Sequence, residues 1–381
     1  MTRRTIGSAG VCAALAVAAI VMSSSVSGQG PGGTAPPLVA TAFGGRAHDY
    51  KAPRTPWGEP DLQGVWSSDD TANIPMSRPA QLGDGLYVDD KAFAEREQQV
   101  RRGVQQGEEN ATGLFRFDFA RRAFPQTSLI VDPPNGQMPA YLPEALRHPM
   151  PRGTFGDGPL DSPEDFSLYE RCITRGIVGS LLRVIYGNGN RIVQSPGVVA
   201  ISYEMIHDTR LIPTNGRPHM AQSVRQYLGD SRGRWEGDEL VVETTNLTDR
   251  TAIGVNGGGI RHSARMKLTE RFKRMANDIL QYQITIDDPL TYERPFTLSM
   301  PLTPLDGGQL LPYECHEGNM ALRQALGGER VEDRRLEEDR KKGIIRARRP
   351  VQDGLGVGGA PTGAPGPGGG RGAPPPGDQE R

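Results

Sequence analysis

The chain has 381 residues, and its 44 lysines and arginines balance 45 aspartates and glutamates, so the formal net charge is −1. This near-neutral balance excludes the basic surface that is typical of a general nucleic-acid-binding protein. Beyond the N-terminus no apolar run approaches the roughly 20 residues that span a bilayer, which excludes a multi-pass membrane protein.

The first 28 residues have the three parts of a secretory signal peptide. Arg3 and Arg4 supply positive charge, residues 11–22 are apolar, and small residues precede a predicted cleavage near Gly28. We therefore expect a periplasmic or secreted protein that keeps no integral membrane segment after cleavage. Export by the twin-arginine route and a retained membrane anchor are the alternatives.

Signal cleavage leaves Cys172 and Cys315 as the only cysteines of the mature chain. Two cysteines in an oxidising compartment usually pair, so we predict a disulfide between them. Two buried free thiols are the alternative. A metal site that uses the two cysteines is disfavoured because no CxxC spacing accompanies them.

The segments outside the main β region differ in composition. Residues 29–56 are rich in Gly, Ala and Pro and predict a linker or an extended arm. Residues 57–164 are irregular, predict a wrapping segment, and include one helix from about 90 to 107. The charged stretch 326–342 predicts a solvated helix. The Gly- and Pro-rich end, 343–381, predicts a disordered tail.

Residues 165–325 are predicted to form the main β region, because from Ile192 to Cys315 apolar and polar side chains alternate, the pattern of strands with one buried face. About eight strands are predicted, at 192–195, 198–212, 231–236, 239–246, 264–274, 279–287, 295–303 and 309–315. Their short connections require antiparallel pairing. We therefore predict an all-β fold, an antiparallel meander closed into a calycin-like or lipocalin-like barrel with room for one small ligand. A two-sheet sandwich is the alternative.

Four sequence blocks stand out along the chain. They are residues 54–66 (RTPWGEPDLQGVW), 169–173 (YERCI), 229–246 (GDSRGRWEGDELVVETTN) and 313–319 (YECHEGN). Together they resemble a large family of secreted bacterial proteins that are mostly uncharacterised. The resemblance implies membership of that family but no activity. Gly64-Val65-Trp66 is also similar to the G-x-W motif with which lipocalins begin.

Polar residues on an apolar strand face indicate candidate sites, because a buried polar group needs a partner. The alternation places His207, Glu270 and Arg294 on inward faces of their strands. The simplest interpretation is a buried pair of Glu270 with Arg294, and such pairs are more often structural than catalytic. In the alternative, Arg294 binds a polar group of the ligand as a forked donor.

The last predicted strand ends in a polar segment that contains His316 and Glu317. An imidazole titrates near neutral pH and a carboxylate can fix its tautomer, so these residues could act as acid and base. His207 and Glu270 complete the predicted catalytic set. In the alternative, His316 and Glu317 only brace the turn beside Cys315.

No motif in the sequence indicates a cofactor. His207, His219, His262 and His316 could form a metal site only in three dimensions, since no short ligand spacing links them. We therefore expect no metal. Phosphate-binding and dinucleotide-binding glycine motifs are absent, so we expect no cofactor. A serine hydrolase is disfavoured because no G-x-S-x-G elbow is present.

These patterns favour an exported barrel that binds a small, partly apolar ligand in its interior. The predicted ligand-binding residues are Arg294, Tyr203, Tyr282, His219 and Trp235. The alternative is a hydrolase, lyase or isomerase on the same barrel, and a structural or interaction protein is the third possibility. We expect a small molecule as the partner, and no nucleic acid.

Overall fold

The computed structural model describes residues 36–46, 48–110, 120–147, 160–184, 186–254 and 259–346. The predicted signal peptide and residues 347–381 of the predicted tail lie outside the described residues. Among the helices that the structure does describe, none combines the length and the apolar character that crossing a membrane requires.

Ten strands of the described residues form one antiparallel sheet. In chain order they are β1 (Gly64–Ser67), β2 (Ile130–Asp132), β3 (Gly189–Ser195), β4 (Val198–Tyr203), β5 (Thr209–Pro213), β6 (Asp230–Glu236), β7 (Glu239–Thr245), β8 (Lys267–Ala276), β9 (Ile279–Asp287) and β10 (Phe296–Pro304). The order along the sheet is β5-β4-β3-β1-β10-β9-β8-β7-β6, and β2 pairs with β10. Strands β3 to β5 and β6 to β10 are sequential neighbours, as short connections require.

The two terminal strands of this sheet, β5 and β6, approach each other and form a nearly closed barrel. Methyl carbons of Ile212 and Thr214 lie 2.9 Å from the position that a Cβ of Gly233 in β6 would take. A side chain there would collide with β5, so glycine at this position permits the approach. The predicted antiparallel barrel is confirmed, and the sandwich alternative is wrong.

The inward face of the barrel is built from rows of cross-strand partners. One row joins Trp235, Leu240, Phe272 and Tyr282 across β6 to β9. The rings of Phe272 and Tyr282 lie 4.9 Å apart. Because side chains alternate along each strand, the apolar residues of these strands share the interior.

The outer face of β9 is also buried, beneath the segment that precedes β1. Gln283 accepts a hydrogen bond from the backbone N–H of Val39 at 2.8 Å, and Gln281 accepts one from Thr41 at 3.1 Å. Polar side chains on this face therefore find backbone partners in the segment that covers them. The first described residues of the segment 29–56, which begin at Pro36, therefore pack along the barrel wall.

Some predicted strands differ from the observed ones. The predicted strand 198–212 is in fact two strands, β4 and β5, separated by a turn at Ile206 and His207, whose φ angles are +66° and +61°. Residues 309–315 form no strand. Strands β1 and β2 were not predicted, because they have only four and three residues, too few to show alternation.

The hairpin between β6 and β7 follows its sequence signal. Glu236 pairs with Glu239, which leaves a two-residue loop. Its first residue, Gly237, has a φ of +62°. Glycine adopts this left-handed conformation without the steric cost that a Cβ imposes.

In the described part of the chain three α-helices accompany the barrel: α1 (Asp90–Asn110), α2 (Ile177–Leu181) and α3 (Ala321–Lys341). The predicted helix at 90–107 is confirmed as α1, and Arg96 fixes it by donating to the carbonyls of Phe124 and Gln126, both at 2.7 Å. The predicted charged helix is confirmed as α3, which begins five residues earlier than predicted because apolar Ala321 and Leu322 belong to its first turn.

Candidate functional site

A fully buried charged pair lies in the interior of the barrel. The side chains of Arg210 in β5 and Glu270 in β8 are 3% and 0% exposed. Arg210 Nη2 donates to Glu270 Oε1 at 2.8 Å, and Nη1 donates to Oε2. The hydroxyl of Tyr282 in β9 donates a hydrogen bond to the same Oε1, 3.1 Å away. The carboxylate is thus held by a bidentate arginine and a phenol.

The surroundings of the buried pair keep Arg210 charged in the folded protein. Burial alone would lower the pKa of Arg210, but the attraction of Glu270 outweighs burial and raises it. Burial raises the pKa of Tyr282, and the charge of Glu270 raises it further. Burial also raises the pKa of Tyr203. At neutral pH the arginine is therefore charged and both tyrosines are neutral.

The interior also contains polar atoms that lack a protein partner. Asn190 Oδ1, Tyr203 Oη, Arg210 Nε and Trp235 Nε1 are buried and accept or donate no hydrogen bond within the part of the chain that the structure describes. Asn190 and Tyr203 are direct cross-strand partners on β3 and β4, so their side chains are neighbours. Each unpartnered group costs about 1–3 kcal/mol. Four such atoms mark the interior as a candidate binding site.

Two predicted inward residues lie on the surface instead. Arg294, which was predicted to pair with Glu270, precedes β10 and pairs with Asp132, with Nη2 and Oδ1 3.2 Å apart. Strand alternation does not apply to a residue outside the strand. The inward orientation predicted for His207 is also wrong, because His207 is exposed in the turn between β4 and β5.

The same turn explains why the inward position of Arg210 was not predicted from the sequence. Ile201 in β4 lies directly opposite Arg210 in β5, so odd-numbered residues face inward before the turn and even-numbered residues face inward after it. A single continuous strand would have kept one parity. The connection contains no glycine, proline or asparagine, and Asp208 is its one common turn residue, so the sequence marks it only weakly.

The predicted catalytic residues do not converge on one site. Glu270 is buried in the interior, whereas His207, His316 and Glu317 are exposed. His316 lies in a turn, where its carbonyl accepts a hydrogen bond from the backbone N–H of Asn319 at 3.2 Å. The structure therefore does not assemble the acid–base arrangement that the sequence suggested.

The remaining predicted ligand-binding residues divide between the barrel wall and a loop. Tyr203 and Tyr282 are fully buried, and Trp235 is half-buried on the same inward face. His219 lies in the loop before β6, where its Nδ1 is 3.1 Å from Oδ2 of Asp230. Three of the predicted residues thus line the interior.

The predicted disulfide between Cys172 and Cys315 is confirmed. Its Cα atoms are 5.8 Å apart, and 143 residues separate the two cysteines in sequence. The bond joins the 169–173 block to the 313–319 block, which both lie outside the regular strands.

His262, a candidate metal ligand, is buried and bonded through both ring nitrogens. Nδ1 lies 3.0 Å from the carbonyl of Ser263, and Nε2 lies 2.7 Å from Thr251 Oγ1. A carbonyl only accepts, so Nδ1 bears the proton and Nε2 accepts from the hydroxyl. Burial lowers the pKa of His262. Among the described residues, no group of three His, Cys, Asp or Glu side chains could hold a metal ion.

We expect the protein to lose stability as the pH falls below about 6.5. The unfolded chain protonates His262 near that pH, whereas the folded protein does so only at lower pH, so the free energy of unfolding falls by at most about 1.4 kcal/mol per pH unit. Urea titrations at pH 7, 6 and 5 would measure this slope. His262→Gln should reduce the slope, and exposed His316→Gln should leave it unchanged. An equal slope in His262→Gln would contradict the assignment.

Comparisons with known proteins identify no relative of this chain. No protein-family model matches it, and neither a curated protein nor a solved structure does. A functional conclusion therefore has to come from the chemistry of the candidate site.

Proposed function

We propose that this protein is exported and binds a small, neutral, partly apolar molecule inside its barrel. The supporting observation is the set of four unpartnered polar atoms on the inward face. They lie among apolar side chains such as Ile201 and Phe272, which are buried on the same face. A few polar groups on an apolar wall are typical of small-molecule sites.

The polar atoms specify the kind of ligand. Tyr203 Oη, Arg210 Nε and Trp235 Nε1 can donate, and Asn190 Oδ1 accepts. They suit a molecule with carbonyl or ether oxygens and one hydroxyl. Arg210 and Glu270 neutralise each other, so an entering ion would lose its hydration without meeting an opposite net charge. The ligand is therefore neutral.

Export and family membership belong to the same proposal. The arrangement of residues 1–28 supports a cleaved signal, and the Cys172–Cys315 disulfide supports an oxidising compartment such as the periplasm. Four sequence blocks support membership of the secreted bacterial family. The acid–base alternative receives no support from the placement of His316.

Replacing Tyr203 by phenylalanine should weaken ligand binding without lowering stability. The hydroxyl has no protein partner to lose, so the melting temperature should stay the same or rise. Binding should weaken about fivefold to tenfold, because one neutral hydrogen bond to the ligand is lost. The measurement is a fluorescence titration of the exported protein with coumarin, a neutral bicyclic carbonyl compound, followed by other compounds of that class.

Naphthalene, which lacks an acceptor oxygen, should bind wild type and Tyr203→Phe equally. Tyr87→Phe is the matched control, since its hydroxyl lies outside the barrel and donates to the carbonyl of Ala40 at 3.4 Å. If neutral bicyclic carbonyl compounds fail to bind the wild type, or bind Tyr203→Phe with full affinity, the proposal is wrong.

A further inference from the structure

A second group of polar side chains lies beside the disulfide, apart from the interior pair. Tyr169, Tyr186 and Tyr313 gather near Arg175, and we call the three residues the tyrosine cluster. The hydroxyls of Tyr169 and Tyr313 are 3.4 Å apart, and the Tyr186 phenol interacts electrostatically with both. The guanidinium carbon of Arg175 lies 6.0 Å from the centre of the Tyr169 ring. These contacts place a cation next to three phenols.

Arg175 is buried with little compensation for its charge. It is 1% exposed, and its Nη1 and Nη2 make only long hydrogen bonds, to the carbonyls of Gly187 at 3.4 Å and Leu182 at 3.5 Å. Its Nε has no partner in the described part of the chain. Burial lowers the pKa of Arg175 to about 10, so the side chain is still charged at neutral pH.

The carboxylate that interacts with Arg175, that of Glu204, already accepts hydrogen bonds from other groups. Glu204 attracts Arg175, but its two oxygens accept the backbone N–H groups of Gly189 and Leu311, each at 3.0 Å. Within the described residues it forms no ion pair with Arg175. A buried cation without a close counterion is costly, so an anion that reached it would be stabilised.

The tyrosine cluster is open to solvent on one side. Tyr186 is 41% exposed, and Tyr169 and Tyr313 are half-buried. The exposed ring of His207 lies edge-on to Tyr313, with ring centroids 6.5 Å apart. The cluster therefore presents aromatic surface that a small molecule can reach.

Backbone strain is concentrated at this end of the barrel. Cys172, Ile206 and His207 have φ angles of +55°, +66° and +61°, and Asn246 is the one other non-glycine residue with positive φ among the described residues. Left-handed conformations are costly for such side chains and gather at ligand-binding and active sites. The strain is an independent indication that this end has a function.

We propose that Arg175 and the tyrosine cluster bind the carboxylate of a small aromatic acid. The Nε–H of Arg175 and the phenol hydroxyls are the donors, and charge-assisted hydrogen bonds favour an oxyanion. The rings of Tyr186 and His207 flank the aryl group of the ligand. Burial raises the pKa of Tyr169, which keeps its hydroxyl a neutral donor. This site selects an anion, whereas the barrel interior selects a neutral molecule.

The test is isothermal titration of the exported, disulfide-bonded protein with benzoate at constant ionic strength. We expect saturable binding at one site. Benzamide, the neutral isostere, should bind at least about tenfold more weakly, because it loses the charge-assisted hydrogen bonds. Tyr186→Phe and Tyr169→Phe should each weaken benzoate binding about tenfold, since each removes a donor to a charged group.

Tyr50→Phe is the matched control. Its hydroxyl donates to Asn277 Oδ1 at 2.8 Å on another part of the surface, so this variant should bind benzoate normally. No saturable benzoate binding, or full affinity in Tyr186→Phe, would overturn the proposal. Tighter binding of inorganic phosphate than of benzoate would overturn the carboxylate assignment. Coumarin affinity should be unchanged in Tyr186→Phe. The coumarin titration therefore tests the interior site independently of the benzoate titration, which tests the tyrosine cluster.

Discussion

Replacing Glu270 by alanine should lower the free energy of unfolding by about 3–5 kcal/mol, because removing one partner of a buried ion pair leaves the other charge uncompensated. Arg210 would stay in the interior without its carboxylate, and the Tyr282 hydroxyl would lose its acceptor. Urea denaturation of wild type and Glu270→Ala at neutral pH measures the difference.

Two further variants test whether Glu270→Ala loses stability because a buried charge is left unpaired or because contacts are lost. Arg294→Ala breaks the exposed pair with Asp132 and should cost at most about 1 kcal/mol. The double variant Arg210→Met with Glu270→Leu replaces the pair by apolar side chains and should recover most of the lost stability, because such replacements are often neutral or stabilising. If Glu270→Ala and the wild type have the same urea midpoint of unfolding, the pair is not buried.

The barrel could be predicted from the sequence because its strands are long and have one apolar face. In β8 the alternation placed Glu270 between Leu268 and Phe272 on the inward face, and all three are buried. A buried glutamate needs a cationic or protonated partner, so an inward arginine was predicted with it. The partner was named wrongly as Arg294.

The failure to recognise Arg210 as the partner of Glu270 has a local cause. Alternation predicts the face of a residue only while the strand continues, and one unrecognised turn reverses the parity of everything after it. Ile206 is a poor candidate for left-handed backbone, and no glycine, proline or asparagine marks that turn. Tyr203 precedes the turn and Tyr282 lies in a well-marked hairpin, so alternation places both on the inward face, where both are buried.

The second site could not be predicted by periodicity at all. Tyr169, Arg175, Tyr186 and Tyr313 lie in irregular segments, and 144 residues separate the first from the last. Only the three-dimensional path of the chain, fixed by the disulfide, brings them together. The available signal was that two of the four recognised sequence blocks each contain a tyrosine and a cysteine.

The two proposed sites differ in the charge that they select. In the interior a guanidinium is matched by a carboxylate at hydrogen-bond distance, so the local net charge is zero. At the tyrosine cluster the guanidinium has phenols and long carbonyl contacts instead. A neutral ligand and an anionic ligand could therefore bind at once without competing.

Removing the disulfide should also cause a large fall in the free energy of unfolding. Replacing Cys172 and Cys315 by alanine releases a loop of 143 residues and should cost roughly 5 kcal/mol in the chain-entropy model. Urea denaturation with and without reductant measures the change, and the double variant should be insensitive to reductant. Non-reducing mass spectrometry of the native protein should find the two cysteines joined, and two freely alkylated thiols would contradict the bond.

The same variant tests how the disulfide supports the tyrosine cluster. The bond links the segment of Tyr169 to the segment of Tyr313, and the non-covalent ties between them are weaker: the contact of the two hydroxyls at 3.4 Å and that of Asn319 Nδ2 with Cys172 Sγ at 3.7 Å. Without the bond the hydroxyls lose their fixed spacing, so benzoate affinity should fall by about tenfold or more, as preorganised donors become mobile. Coumarin affinity should change little, because the interior donors belong to paired strands. Equal loss of both affinities would show that the whole barrel has loosened.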